Sequence, residues 1–372
     1  MPLFDTALQE KAIIFEIGHA YTKLGFAGEN SPRFIIPTKV ENSANGTSKD
    51  LFDYKDNNEF YEQVITFIQK LFFKYILVNP KDKKIVMVES ILCPTIIRET
   101  FASVLYLHFE VNTIFFVPLH LAALSTLAID TALVIDIGYK EAIVIPVFSG
   151  VQVLNAWQAQ ALGAEAIHDE IKGQLILNGI KEEYLTPKVI EDIKARLCFV
   201  TNLERSRKYR EKNPPPPCPD IDYPIKGDEI IKIPGVLRET AFEVLFPEDN
   251  DRLGLPYIIL DAILKCPIDM RRQLAENIFI IGGSSIIMGL TDRIKHELLE
   301  LVQSDVYRDR LPIKAFKFHT GISQPNFTGW LGGSIYGNTD LLNQNGLSKE
   351  TYLKTKKLPD WSNFNGEETR SA

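Results

Sequence analysis

The chain has 372 residues, which at roughly 100–200 residues per domain predicts two or three domains, each with its own core. Hydrophobic residues make up 45% and charged residues 24% of the sequence, values that exclude a collagen, a coiled coil or a disordered chain. The formal charge is 41 − 48 = −7. This balance argues against a dedicated nucleic-acid-binding protein, because neutralising phosphates requires a basic surface.

The cysteines and the apolar segments indicate a cytoplasmic protein. The four cysteines form no CxxC pair, so neither a zinc site nor a disulfide framework is expected. No basic segment followed by an apolar one marks a signal peptide at the N-terminus. No apolar run approaches the ~20 residues that span a bilayer, so no membrane insertion is expected. The cytosol or a cytoskeletal assembly is the predicted location.

A strand–turn–strand pattern occurs twice along the chain. Residues 12–18 read AIIFEIG and residues 132–138 read ALVIDIG, each a buried strand that ends in an acidic residue, Ile and Gly. A short polar turn and a second apolar strand follow in both places. The acidic residues Glu16 and Asp136 are 136 − 16 = 120 positions apart. Repetition at this distance predicts two homologous halves.

Helical and strand patterns alternate after each copy, which predicts α/β sheets with helices on their faces. The segments are helices at 59–72 and 95–109, a strand at 84–90, helices at 163–177 and 187–203, a strand at 277–283 and a helix at 289–302.

Two polar stretches interrupt this pattern. Residues 38–59 lack periodicity and predict a surface loop. Residues 204–219 read ERSRKYREKNPPPPCP and predict an exposed basic and proline-rich insertion. For the run Pro214–Pro217 we favour a stiff spacer over an SH3-type ligand.

Glycine-containing turns end three of the strands, at Gly18, at Gly138 and at the pair Gly282 and Gly283. Glycine lets backbone N–H groups approach phosphate oxygens, and a following helix N-terminus favours negative charge. Together the turns indicate phosphate binding. The alternatives are that the acidic residues only cap their turns and that Gly282 and Gly283 only allow close packing.

Longer strings carry a family resemblance. TKLGFAGENSPRFIIP, EDIKARLCFV, CPIDMRRQLAENIFIIGGSS and GWLGGSIYG resemble actin and the actin-related proteins, over about residues 11–353. The resemblance implies an actin-like (ribonuclease H-like) ATPase fold, α/β in class, with two lobes around a nucleotide cleft and reduced small subdomains. The first lobe would be residues 1–118 plus 325–372, with a shortened small subdomain at about 38–59. The second would be residues 119–324.

The resemblance also implies which residues would hold ATP or ADP as a structural ligand with Mg²⁺. Glu16 and Asp136 match the family's two metal-side carboxylates and are the candidate Mg²⁺ ligands. Glu16 is one methylene longer than the family's aspartate, so Mg²⁺ coordination there would need rearrangement. The other matching positions are Gly18, Lys23, Gly138, Lys194, Gly282, Gly283, Ser284 and Ser285.

Several family residues are replaced, and this predicts a site without turnover. Leu119 stands where actin has the glutamine that orients the attacking water, and a leucine side chain can neither donate nor accept a hydrogen bond. His19 replaces the phosphate-binding serine of the first loop. The second loop continues as Tyr139, Lys140 and Glu141 instead of a glycine-rich turn. Ala195 and Asn326 replace a glutamate and a lysine of the adenosine site.

VNPKDKKIVMVESILCP and LAENIFIIGG resemble more closely the actin-related proteins at the pointed end of dynactin's filament. Residues 38–59 are shorter than the family's connecting loop, and residues 179–187 also look trimmed. Segments of the opposite, barbed-end face persist at 121–128 and 332–347. There we predict interface residues Leu121, Leu124, Tyr336, Leu341 and Leu342.

The resemblance therefore implies a non-catalytic subunit that caps the centractin filament in dynactin, contacts other pointed-end subunits and supports dynein-driven transport on microtubules. A nuclear actin-related subunit of a chromatin remodeller and an active ATPase of the superfamily remain alternatives.

Overall fold

A computed structural model describes residues 11–41, 48–226, 229–247 and 253–360. The chain forms two compact units, Met1–Ile129 with Gly321–Ala372, and Asp130–Thr320. The predicted boundary at residue 119 is wrong, because the helix that begins there packs within the first unit. Within the described residues, no helix is long and apolar enough to cross a membrane.

The first unit begins with two β-hairpin-like segments and a helix that changes pitch at its end. Its elements are β1 (Ile13–Ile17), β2 (Tyr21–Phe26), β3 (Phe34–Pro37), β4 (Lys39–Glu41), β5 (Ser48–Asp50), α1 (Asn57–Lys70), β6 (Lys84–Glu89), α2 (Thr95–Ser103), β7 (Thr113–Pro118) and α3 (Leu119–Ser125). α1 continues into a π-helical segment, Leu71–Ile76. The side chain of Asp56 begins α1 by accepting hydrogen bonds from the backbone N–H groups of Asn58 and Glu59.

The second unit carries the other copy of the hairpin, and the chain then returns to the first unit. The second unit contains β8 (Ala132–Ile137), β9 (Ala142–Phe148), β10 (Val151–Gln152), β11 (Gln158–Gln160), α4 (Ala164–Leu177), α5 (Pro187–Leu197), α6 (Leu203–Tyr209), β12 (Ile221–Lys226), β13 (Glu229–Ile233), α7 (Gly235–Thr240), α8 (Leu255–Lys265), α9 (Ile268–Ala275), β14 (Ile278–Ile281) and α10 (Leu290–Leu301). The returning segment contains α11 (Thr328–Gly337), α12 (Leu341–Asn345), β15 (Leu347–Ser348) and α13 (Lys349–Thr355).

The two sheets share a pairing pattern, which confirms the predicted repeat. In the first unit, with order β15-β7-β6-β1-β2-β3, β1 pairs antiparallel with β2 and parallel with β6. In the second, with order β10-β9-β8-β14, β8 pairs antiparallel with β9 and parallel with β14. β1 and β8 are almost fully buried, as expected for strands that lie inside a sheet with covered faces.

The prediction of a surface loop at residues 38–59 is wrong for residues 38–41 and 48–51, and residues 42–47 of this stretch lie outside the described residues. β4 pairs with β5, and Val40 and Leu51 are buried in the core of the first unit. The hydroxyl groups of Thr22 and Thr38 form a buried hydrogen bond of 2.8 Å. Scattered apolar residues in a polar stretch therefore suffice to hold both of its described ends on their own unit.

The basic and proline-rich insertion also differs from the prediction at its start. The helix predicted at 187–203 ends at Leu197, because Cys198 is extended, and a separate helix α6 follows. Leu203 and Ser206 on α6 are buried, and Arg205 forms an ion pair with Glu239. Only the part after α6 lacks regular structure and is mainly exposed.

Glycines on α11 allow it to touch α3 and the sheet at backbone distance. A Cβ atom added at Gly332 would lie 1.8 Å from the carbonyl oxygen of Ala122. On the same helix, Trp330 is fully buried and its Nε1–H donates to the carbonyl oxygen of Ile14 at 3.2 Å. The returning segment is therefore held against the start of the chain by close packing and a buried hydrogen bond.

We expect Gly332→Ala to lower the free energy of unfolding by about 2 kcal/mol or more, because α11 would have to move away from α3. Gly173→Ala is the matched control: Gly173 lies inside α4, and nothing is within 4 Å of its Cβ position. Alanine there should stabilise by up to about 1 kcal/mol through helix propensity. Circular dichroism during thermal unfolding measures both variants, and an unchanged melting temperature for Gly332→Ala would contradict the proposed packing.

Candidate functional site

The first phosphate-type turn joins β1 to β2. The N–H of Gly18 donates to the carbonyl oxygen of Tyr21 at 3.1 Å, which closes the turn. Glu16 and Lys23 are opposite each other in the strand register, and their largely buried side chains form an ion pair. The other carboxylate oxygen of Glu16, Oε2, is buried without a hydrogen-bond partner among the described residues. The lysine predicted to reach phosphates is therefore neutralised within its own hairpin.

Leu119 lies beside this carboxylate. It is the first residue of α3 and is buried. A Cβ atom at Gly329 would lie 2.9 Å from Cγ of Leu119 and 3.5 Å from Oε2 of Glu16. An isobutyl group thus faces the same glycine as the free carboxylate oxygen. It offers no hydrogen bond with which to hold a water molecule.

His19 in the first turn is exposed, and its ring packs on Phe52 with 4.8 Å between ring centroids. Phe52 follows β5, so the histidine connects the turn with the 38–59 segment. The replacement of serine by histidine therefore has a packing role in this chain.

The second turn joins β8 to β9 with the same geometry. The N–H of Gly138 donates to the carbonyl oxygen of Glu141 at 3.0 Å. Asp136 is opposite Ile143, so this copy has no lysine where the first has Lys23. The equivalent carboxylates therefore have different cross-strand neighbours.

β14 brings a third glycine turn against Asp136. Gly282 has a φ of +97°, and a Cβ there would lie 2.5 Å from Oδ1 of Asp136 and 2.4 Å from the carbonyl oxygen of Ile137. Both the left-handed conformation and the close contact require glycine.

The residues after Gly282 form a short 3₁₀ turn. Oγ of Ser284 donates to the carbonyl oxygen of Gly138 at 3.3 Å, and Oγ of Ser285 donates to that of Gly282 at 2.7 Å. Nothing lies within 4 Å of a Cβ position at Gly283, so this backbone has an open side. The second unit therefore brings together the predicted residues Asp136, Gly138, Gly282, Gly283, Ser284 and Ser285.

The second turn, residues 138–141, is held to the N-terminus of α4 by hydrogen bonds and an ion pair. The N–H groups of Ala164 and Glu165 donate to the carbonyl oxygens of Gly138 and Tyr139 at 3.0 and 2.9 Å. Lys140 forms an ion pair with Glu165. Two amides at the N-terminus of α4 thus donate to carbonyl oxygens of this loop, and they are not available to bind an anion.

Lys194, predicted on the purine side, has its ammonium group engaged by its own unit. It is 5% exposed, Nζ donates to Oε2 of Glu191 at 2.8 Å, and Nζ lies 2.9 Å from Nε2 of His168. Burial lowers the pKa of Lys194. Burial acts to raise the pKa of Glu191, but hydrogen bonds from His168 and Lys194 outweigh it and hold that pKa at about 2. The ring of His168 also packs edge-on against Tyr139, at 5.9 Å.

The two halves fit a nucleotide phosphate unequally. In the second unit, the open side of Gly283 next to Asp136 and Gly282 can accept a phosphate group. In the first unit, Lys23 is paired with Glu16 and Leu119 is apolar. No group of three or more His, Cys, Asp or Glu side chains among the described residues could hold a metal ion. Glu16 and Asp136, the predicted Mg²⁺ ligands, belong to different units.

His120 is a residue that the sequence did not single out. His120 is fully buried and neither ring nitrogen has a hydrogen-bond partner among the described residues. Burial lowers its pKa to about 3. Its neighbours in the string LHLAAL are apolar on all sides of the helix, and this pattern could have indicated burial.

The predicted interface role is wrong for two residues, because their side chains are buried inside the chain itself. Leu124 is 2% and Leu342 is 5% exposed. Leu121 and Tyr336 are half-buried, and Leu341 is 37% exposed. The last three can contact another protein without unfolding of the chain, and their role stays a prediction.

We expect His120→Leu to reduce the acid sensitivity of folding. The unfolded chain binds a proton at this position below a pKa of about 6.5. The folded chain binds it only below about 3, so the stability contributed above 6.5 is lost as pH falls. Between pH 6.5 and 5 this loss is about 2 kcal/mol, which the variant should not show. The measurement is urea unfolding at pH 7.5 and 5, with the exposed His108→Leu as control. Equal pH dependence in wild type and His120→Leu would contradict the burial of a neutral imidazole.

Comparison with known proteins agrees with the geometry of both turns. The profile of the actin family matches residues 7–356. Actin-related protein 10 of Dictyostelium discoideum is 29% identical over 430 aligned positions, which cover 95% of this chain and 89% of that protein. The mixed α/β sheets, each with the repeated hairpin and its parallel neighbour, have the architecture of the actin fold. The chain belongs to the actin family.

Proposed function

We propose that this actin-related chain is a non-hydrolysing structural subunit that caps the pointed end of the centractin filament in dynactin. In this role it contacts the other pointed-end subunits and supports dynein-driven transport along microtubules in the cytoplasm. The observation that carries the proposal is the way the described parts of the connecting segment, residues 38–41 and 48–59, pack onto their own unit.

This segment leaves little apolar surface for a neighbouring subunit. Val40 and Leu51 are buried, and Phe52 packs on His19. The ring of Tyr54 stacks on Phe60 with 4.5 Å between centroids. Within the described part of the segment, no large apolar side chain is exposed. A subunit whose connector is used internally can be added to a filament but does not offer that connector to the next subunit.

The opposite face supplies the proposed contact with the filament. Leu341 on α12 is exposed, and Leu121 and Tyr336 are half-buried on α3 and α11. The contact between α3 and α11 fixes the positions of Leu121 and Tyr336, because the backbones of these two helices touch at Gly332. A rigid apolar face of this kind suits a permanent assembly, in which the core of the interface is apolar.

The site chemistry supports a subunit that does not hydrolyse nucleotide. Actin-family hydrolysis depends on a positioned water, and the group at this position is the side chain of Leu119. We propose that ATP or ADP with Mg²⁺ is held as a structural ligand, with its phosphates at Gly283. Asp136 and the Ser284 and Ser285 hydroxyl groups would surround this position. Asp136 would lie on the Mg²⁺ side, and the Ser284 and Ser285 hydroxyl groups, which donate to the carbonyl oxygens of Gly138 and Gly282, would hold the turn; nothing among these groups activates a nucleophile.

Assembly tests the capping proposal. Wild-type chain expressed in cells should sediment with dynactin on a sucrose gradient, whereas Leu341→Asp should sediment as free protein because a buried unpaired carboxylate disfavours the contact. Leu353→Asp is the matched control, because Leu353 has a similar exposure, 42%, on α13 of the same unit. Absence of the wild type from the dynactin fractions would refute the proposal.

Nucleotide binding is tested with Gly283→Ala. Because its Cβ position is open, the variant should keep its melting temperature, but the added methyl group should weaken binding of a fluorescent ATP analogue by about tenfold. Wild-type protein should bind the analogue and release no phosphate above a protein-free blank. Clear phosphate release would overturn the assignment of Leu119. Equal affinity of wild type and variant would remove Gly283 from the site.

A further inference from the structure

The proline run after α6 is not used by the proposed site or by the proposed filament face. α6 before it and β12 after it both belong to the second unit. The run therefore does not separate two domains. The stiff spacer predicted from the sequence has no second domain to hold apart.

The conformation of the run follows from its residue types. Proline fixes φ near about −65°, and a residue that precedes proline is directed away from helical ψ. Pro214, Pro215 and Pro216 each have a proline after them, and no described peptide bond is cis. They must therefore form a polyproline II helix, with about three residues per turn.

Burial follows this period of three. Between residues 213 and 219, only Pro215 and Cys218 are half-buried, and the other five are exposed. Residues three apart lie on one ridge of a polyproline II helix. One ridge therefore faces the protein, while Pro214 and Pro217 form a second ridge in solvent and Pro216 and Pro219 form the third.

Hydrogen bonds hold the run in place. Arg205 donates to the carbonyl oxygen of Pro216 at 2.8 Å, and Arg238 donates to that of Pro219 at 2.7 Å. The N–H of Cys218 donates to Oε1 of Glu239 at 2.7 Å. A Cβ at Gly235 would lie 1.6 Å from the carbonyl oxygen of Cys218, so the backbone packs directly on α7. These bonds hold the backbone of Pro216, Cys218 and Pro219 in place, whereas Pro214 and Pro217 form no hydrogen bond among the described residues.

The adjacent surface is basic in an acidic protein. Residues 204–212 contain five basic and two acidic residues, 5 − 2 = +3, whereas the chain carries −7. Arg205, Arg207 and Arg210 form ion pairs with Glu239, Glu300 and Glu243. Lys208 and Lys212 are exposed and form no ion pair within the described residues. Lys208 and Lys212 thus remain as exposed cations before the proline run, together with the exposed carboxylates of Glu204 and Glu211.

We propose that residues 208–219 are a preformed ligand for an SH3-class domain of a partner protein. Such domains bind PxxP segments in aromatic-lined grooves, and the ridges of Pro214 with Pro217 and of Pro216 with Pro219 have this spacing. An acidic rim on the partner complements Lys208 and Lys212. Because the run is already ordered, little conformational entropy is lost on binding.

The test uses the full chain and a panel of purified SH3 domains with acidic rims, measured by biolayer interferometry. We expect at least one domain to bind with micromolar affinity. Pro214→Ala with Pro217→Ala should weaken this binding about tenfold, because one exposed ridge is removed. Pro215→Ala, on the buried ridge, is the matched control and should change it less than about twofold. Lys208→Glu with Lys212→Glu should weaken binding and reduce its salt dependence.

Circular dichroism confirms that each variant is folded. Binding by no SH3 domain of the panel, binding that is insensitive to the Pro214 and Pro217 changes, or binding by WW or EVH1 domains alone would overturn the proposal. The result is independent of dynactin assembly, because the variants leave the α12 face unchanged.

Discussion

The backbone contact between α11 and α3 is the constraint on which the first unit depends. α11 arrives from the far end of the sequence, and its glycines let it reach the carbonyl oxygen of Ala122 and the side chains of β6. This contact closes the unit and also sets the chemistry near Glu16, because Gly329 on α11 faces Leu119 at the start of α3. Packing and the apolar surroundings of the Glu16 carboxylate are therefore coupled in one helix pair.

The duplicated hairpin shows how two copies of one backbone can diverge in chemistry. Both turns are closed by a glycine N–H bonded to a carbonyl oxygen three residues later. In the first copy the acidic residue is paired with Lys23, so the two charges largely cancel and attract ligands weakly. In the second, the parallel neighbour β14 adds Gly282 and the open Gly283 beside Asp136. The open backbone beside an acidic residue is thus found in the second turn and not in the first.

The sequence predicted what depends on local pattern: the repeat, the buried strands, most helices and the glycine turns. The predictions were wrong where contacts between residues far apart in the sequence determine the structure. Lys194 and His168 are separated by 26 positions and meet only through the packing of α4 and α5. The inclusion of α3 in the first unit depends on its packing against α11, which comes about two hundred positions later. Leu342 appeared suited to an interface because apolar residues of a core and of an interface have the same composition.

The buried contacts beneath the proline run indicate that this part of the surface recognises a partner protein. Glu239 is 1% exposed, and burying an ionised carboxylate costs several kcal/mol unless partners compensate. Arg205 and the N–H of Cys218 supply that compensation, and hydrogen bonds from them outweigh desolvation to hold the pKa of Glu239 at about 2. A loop that only joined α6 to β12 could remain loose at no such cost. Because a buried ionised carboxylate holds the exposed prolines in place, binding of a partner explains this segment better than a role as a simple connection between α6 and β12.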